Sequence, residues 1–379
     1  MSASRANVRR LVGGLLVFIW AALVLGAYYA VHKPLPPAQL PGVVVTLHGL
    51  AAAAATLVVS YAVGRGAVAR WFGREPAGLR LALSIGLGSG GLAIGFVLAG
   101  ALALYHPVTA LTAVAAALVY VLRRRADFRA LRLPRVRGAL AWFVVGVSGV
   151  AFLQAATPPT AWDALVYHLT GPELYVQAGR LVHPIDLHYL GFPQWGEALF
   201  TFGMLLGSDR APALLHWTFA ILTLVVVYET VRRILPTRGI LAVALLAATP
   251  SAMLLAGIPY VDWFAMFAVA LAFYALLRWG EAGERRWLAL AGAGAGLAFA
   301  AKYSSAGAIL GLAAGAAHLQ AATRNRSFGQ LARNVAAFVV PAVLVALPWL
   351  FKNLALTGNP LYPFFFDGLY WDELRRWWY

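Results

Sequence analysis

Cysteine is absent from all 379 residues, which removes disulfides, thiolate chemistry and Cys-ligated zinc from consideration. Charge is nearly as scarce: 12% of residues are Asp, Glu, Lys or Arg, against roughly 25% in a soluble domain. Acidic residues number only 14 against 30 basic ones, so each carboxylate stands out. Apolar residues take up the difference, at 61% of the chain with a mean hydropathy of +0.75. Runs close to the roughly 20 residues needed to cross about 30 Å of hydrocarbon recur along the whole length. Lipid offers the backbone no hydrogen-bond partner, so spanning segments must be helices or a closed barrel. A barrel is excluded by runs such as 51–59, which do not alternate with period two. The chain reads as an all-α, polytopic transmembrane helical bundle.

About 11 spans are expected, near 11–30, 43–63, 81–104, 108–122, 139–157, 212–231, 239–257, 260–278, 287–301, 303–320 and 334–351. The first follows Arg5, Arg9 and Arg10 but is longer than a signal-peptide core and is followed by further spans, so it is read as an uncleaved helix. With the N-terminus cytoplasmic, 23 of the 30 Lys and Arg fall on the cytoplasmic side. The other face receives only Lys33, Arg180, Arg210, Lys302, Lys352, Arg375 and Arg376. Such asymmetry is the positive-inside pattern, and the net charge of +16 therefore reports topology and not a nucleic-acid partner. Acids run the other way, 9 of 14 lying outside.

The arginine-rich stretch Arg123–Arg137 divides the chain into 1–138, a four-span region that reads as scaffold, and 139–379, which holds most of the polar residues. Glycines at 86, 88, 90, 91 and 95 are expected to let helices approach closely. The longest polar interval, 158–212, should hold short juxtamembrane helices: Pro172 divides two segments, and 193–206 is too short to span and is expected to lie along the membrane surface. A single helix over 287–320 would be roughly 50 Å long at 1.5 Å per residue, so two helices meeting at Lys302 are expected instead.

Asp163 follows a proline-stiffened exit, TPPTAW, and could accept a proton from a hydroxyl, bind a divalent metal, or simply cap the next helix. Asp262, in PYVDW, returns by topology to the same face, as catalytic acid, metal partner of Asp163 or helix cap. His168, His183 and His188 lack metal-ligand spacing, although His168 could share a face with Asp163. Lys302 at the membrane edge would suit a lipid phosphate or would snorkel to the surface. Lys352 and Asn353, just after the last span, are weaker versions of the same signal. The aromatic C-terminus fits an interfacial belt or a surface for sugar rings.

D-A-L-x-Y-H-L-x-x-P-E-L-Y at 163–175, F-P-Q-x-G-E at 192–197, Y-V-D at 260–262, K-Y at 302–303 and PW-x-x-x-N-x-x-x-TGNP-x-YP at 348–363 occur in that order. Together they resemble bacterial polytopic glycosyltransferases of the GT-C superfamily, related to protein O-mannosyltransferases and the aminoarabinose transferase of lipid A. The resemblance covers about 140–366. It implies transfer of a sugar, with inversion, from a polyprenyl-phosphate donor to a lipid, glycan or protein acceptor on the extracytoplasmic face of a bacterial plasma membrane. The family's catalytic acid matches Asp163, its second acid Asp262, and its phosphate-handling lysine Lys302. Tyr167, His168, Glu197, Tyr303 and Asn353 are then expected to contact substrate, with a divalent metal at Asp163 and Asp262 as the one candidate cofactor. Members usually continue beyond the GNP-x-YP run, so the core is expected to be C-terminally short. Competing readings are a transporter or flippase for a lipid-linked sugar and a non-catalytic scaffold.

Overall fold

A computed structural model describes residues 40–124, 137–321 and 327–378, with scattered positions between 16 and 31. The first expected span, the arginine-rich connection and its domain division near 138 lie wholly or largely outside the described residues. Two compact units divide the chain, Met1–Leu47 and His48–Tyr379. Among the described residues there is no strand.

The helices are α1 (Leu40–Phe72), α2 (Ala77–Ala101), α3 (Pro107–Arg123) and α4 (Ala139–Ala155), then α5 (Thr170–Ala178), α6 (Trp195–Leu205) and α7 (Ala211–Ile234). They continue as α8 (Gly239–Ala247), α9 (Pro250–Ala256), α10 (Asp262–Ala282) and α11 (Arg285–Ala301). The last are α12 (Ala306–Ala321), α13 (Phe328–Thr357) and α14 (Glu373–Trp378). Five of these are long and apolar enough to cross a membrane, six if α8 and α9 count as one broken span. That is the extent to which the expected eleven spans are supported: α3 and α4 are apolar but, at 17 residues each, shorter, and α11 and α12 have 17 and 16 residues.

Three local expectations changed form. The span expected at 239–257 is bent by 79° between α8 and α9. Pro250 opens α9, where its missing N–H costs nothing, but it cannot continue α8. Pro172 does not divide two segments; it sits in the first turn of α5, another position without need of its N–H, and the division falls at Leu169. Helix α6 is not laid along a surface. Its sequence WGEALFTFGML is apolar nearly all round, and it is buried on almost every face among α2, α5, α7 and α11.

Close backbone approach explains Gly64 of α1 and Gly88 of α2. A Cβ on Gly64 would lie 2.0 Å from the Ser84 carbonyl oxygen, and one on Gly88 would lie 1.7 Å from that of Ser60. Gly95, expected to serve the same purpose, faces open space.

Beneath the polar end of α10 sits an aromatic core. Trp195 packs edge-on to Phe219 at 5.4 Å and to Phe264 at 5.3 Å, and Phe219 stacks on Phe264 at 4.0 Å. These rings fix the starts of α6 and α10 relative to each other, and each start carries a carboxylate in its first turn, Glu197 and Asp262. At the opposite end of α10, Glu75 accepts from Tyr274 (2.5 Å) and Arg278 (3.1 Å), while Arg233 and Arg278 share Glu281 and Arg286 reaches the Trp71 carbonyl. The arginines of several helices thus gather at the end of α10 away from Asp262.

Candidate active site

The site is built where α11 stops. Lys302 leaves helical geometry for an extended conformation (φ −163°, ψ 131°), and a short 3₁₀ turn, Tyr303–Ser305, leads into α12. This break turns the Lys302 side chain toward the start of α10, where its Nζ donates to Asp262 Oδ1 at 3.0 Å. Neither partner is sealed: the side chains are 41% and 30% exposed. An ammonium has three protons to donate and Asp262 takes one, so capacity remains for a ligand.

Asp262 is held from below by a residue that sequence reading passed over. His216, fully buried on α7, donates from Nδ1 to the Ile258 carbonyl at 2.6 Å and accepts at Nε2 from the Trp263 N–H at 2.9 Å. Both bonds are met by the neutral ring with its proton on Nδ1. They pin the 258–263 connection from either side of Asp262. No local sequence signal marks His216, the one histidine of a largely apolar helix.

Asp163 lies near Tyr260, which is two residues before Asp262. Burial pushes the Tyr260 phenol up, and the adjacent Asp163 and Asp262 carboxylates push it further. Tyr167 is also raised by burial and then by Asp163, Glu197, Tyr189 and Asp262. The two tyrosines therefore lie within the field of both acids. Asp163 is partly exposed, and its side chain makes no capping hydrogen bond to the segment that follows. The cap reading of Asp163 is not what the geometry contains.

That segment, Ala164–His168, is a π turn, with the Leu169 N–H bonded to the Ala164 carbonyl five residues back. The extra residue per turn brings position 168 round toward the side that carries 163; at 3.6 residues per turn it would face well away. His168 is buried with its ring 5.2 Å from Tyr260 and 4.1 Å from Tyr167, and its Nδ1 lies 2.7 Å from Glu197 Oε1. Tyr167 stacks on Tyr189 at 4.2 Å.

The remaining expected contacts serve the scaffold. Lys352, 3% exposed, donates to the carbonyls of Leu190 (2.8 Å) and Phe192 (3.0 Å) and to Gln194 Oε1 (2.8 Å). All three of its protons are used, so it grips the strap entering α6. Asn353 is fully buried and donates to the Gly191 carbonyl at 2.5 Å and to the Tyr303 hydroxyl at 3.1 Å. Tyr303 packs against Phe192, Phe299 and Phe364. Asn353 is fully buried in this packing, and Tyr303, directly after Lys302 in the chain, is part-buried in it. The TGNP-x-YP run is a clasp: Asn359 is buried, donates to the Phe364 and Phe366 carbonyls and accepts from the Leu361 N–H. His183 and His188 lie apart from the acids, in the loop that the C-terminal segment covers, where Arg375 pairs with Asp186.

A divalent ion held by Asp163 and Asp262 would share Asp262 with the Lys302 ammonium and be repelled by it, and no three His, Asp or Glu side chains gather into a metal-holding group among the described residues. The donor set fits an ion pair.

Residues 193–351 match the family model described as dolichyl-phosphate-mannose-protein mannosyltransferase. The matched segment contains Glu197, Asp262, Lys302 and Tyr303, whereas Asp163, Tyr167 and His168 precede it and Asn353 follows it. No curated protein and no solved structure matches the chain. With the apolar helices, the match makes this an integral membrane protein similar to membrane glycosyltransferases that use a lipid-linked donor.

Proposed function

We propose that the chain transfers a sugar from a polyprenyl-phosphate donor to a hydroxyl-bearing acceptor at the extracytoplasmic face, with the N-terminus cytoplasmic and the 158–212 loop outside. The observation that carries the reading is the convergence of Asp163, Asp262 and Lys302, from three distant parts of the chain, around Tyr260. An acid and a partly exposed cation beside one another are what glycosyl transfer from a phosphate needs. The acceptor oxygen attacks the anomeric carbon as the bond from that carbon to the phosphate oxygen breaks. Asp163 takes the acceptor's proton, and the bonding pair leaves with the phosphate. Lys302 stabilises the charge that develops there, and Asp262 holds the ammonium in place. Attack opposite to the departing phosphate inverts the anomeric centre, as the sequence resemblance implies.

The mannosyl donor named in the matched family's description is the first to try. The test is purified full-length chain in lipid with a radiolabelled polyprenyl-phosphate mannose and candidate glycan, lipid and peptide acceptors. Transfer or slow hydrolysis of the donor supports the reading. A donor that is bound and released intact across all acceptors supports carriage of the lipid-linked sugar and overturns the enzyme reading.

A further inference from the structure

The His168–Glu197 pair is not used by the chemistry just described, yet it is the most completely buried charged arrangement beside Asp163. Glu197 is 5% exposed, and its Oε2 has no hydrogen-bond partner. All of its visible bonding capacity is therefore directed, through Oε1, at His168 Nδ1. Glu197 is itself rigidly set. It lies in the first turn of α6, flanked by the Trp195 aromatic core, and the preceding Gln194 is bonded to both Lys352 and Tyr175. His168 Nε2 makes no hydrogen bond to the protein, and the side chain is nearly sealed, at 3% exposure. Its ring lies 4.1 Å from that of Tyr167 and 5.2 Å from that of Tyr260, and the π turn brings it round to the side that carries Asp163.

We infer that Glu197 is a positioning residue which keeps the His168 proton on Nδ1, so that Nε2 is presented as a hydrogen-bond acceptor for a ring hydroxyl of the transferred sugar, with Tyr167 and Tyr260 as its aromatic walls. This rests on the glycosyltransferase reading above and adds the element that would read the sugar. A carboxylate can only accept, so it fixes the imidazole in one tautomer. An amide in its place can turn its NH₂ toward Nδ1, which moves the ring proton to Nε2 and converts the acceptor into a donor. A hydroxyl can meet either, but its direction, and hence the sugar's register against Asp163, changes.

The test uses full-length chain labelled with ¹⁵N-histidine in lipid nanodiscs, with His168→Asn identifying the His168 signals among the eight histidines, and polyprenyl-phosphate mannose as the probe. The expected result has three parts. Wild type carries an unprotonated Nε2 whose resonance moves when the donor is added. Glu197→Gln carries a protonated Nε2 and loses about 10–100-fold in kcat/KM, the scale of one misdirected hydrogen bond to a buried group. Glu197→Asp, which keeps the charge, recovers part of that loss. Thermal stability is read on the same samples, because a purely structural pair would lower the melting temperature in both variants without moving the tautomer. Wild-type transfer with Glu197→Gln equal in tautomer and in kcat/KM to wild type overturns the inference and leaves the glycosyltransferase reading standing. A wild type that neither binds nor transfers from this donor overturns both.

Discussion

Lys302 and Lys352 are fifty residues apart, and replacing each with Met should separate chemistry from scaffold. Lys302 shares one bond with Asp262, and both side chains are partly exposed. A pair so exposed contributes about 0.2–1 kcal/mol to stability, so Lys302→Met should unfold almost as wild type does. If the ammonium meets the departing phosphate, losing it removes a charge-stabilising contact present in the transition state, a loss of about 10²–10³ in rate, or roughly 3–4 kcal/mol. Lys302→Arg should retain part of the rate, since the charge survives in a different shape. Lys352 makes three bonds while buried. Met there would orphan the Leu190 and Phe192 carbonyls at about 1–3 kcal/mol each and leave Gln194 Oε1 with Tyr175 alone, a sum comparable with the roughly 5–15 kcal/mol that holds a domain folded. Melting in nanodiscs and donor-dependent kinetics per folded molecule read the two effects separately. The reasoning is refuted if Lys302→Met melts as early as Lys352→Met while turnover per folded molecule is unchanged.

Three further outcomes follow from the geometry. His216→Gln cannot keep both backbone bonds in the same plane, so Asp262 should shift and kcat should fall about tenfold or more in a folded variant, in line with the cost of misplacing a reacting group; unchanged kcat contradicts a positioning role. Burial, opposed by the bond to the Leu187 carbonyl, brings His183 down to about 4, with Lys352, Asp186 and His188 as the neighbouring charges. Its neutral form is favoured by folding, so this stabilisation is complete above about pH 6.5 and is lost as pH falls toward 4, up to about 3 kcal/mol in all, and His183→Gln should flatten that slope in a melting-versus-pH series. The chain has no cysteine, so single cysteines at the exposed positions Asp209 and Ser327 should label from opposite sides of intact cells, and labelling of both from one side overturns the topology.

Much of the helical layout was legible because apolar length and breakers are local signals. The separation of α11 and α12 at Lys302 followed from bilayer thickness alone, and the gathering of Arg233, Arg278 and Arg286 at one end followed from charge counting. The convergence of Asp163, Asp262 and Lys302 was only an expectation from loop parity, since distances between loops are set by packing. What stayed hidden depends on tertiary contacts. The π turn that brings His168 round is one extra residue in a helical run, and no residue type announces it. Lys352 and Lys302 look alike in sequence, each a lone lysine near a helix end, and only burial distinguishes the anchor from the available cation. Helix α6 read as interfacial because 193–206 is too short to span and contains Glu197; the His168 partner that makes burying that carboxylate tolerable lies in a different segment.

The central claim is that Asp163 accepts the acceptor's proton, and Asp163→Asn measures it most directly. The amide has nearly the same shape, and the native side chain makes no capping bond to lose, so the variant should insert and melt as wild type does. An amide is a far weaker base, so transfer from polyprenyl-phosphate mannose should fall by about 10²–10⁴, the usual range for a positioned acid or base, with donor binding kept. Turnover within a few-fold of wild type in a folded Asp163→Asn protein would contradict the account.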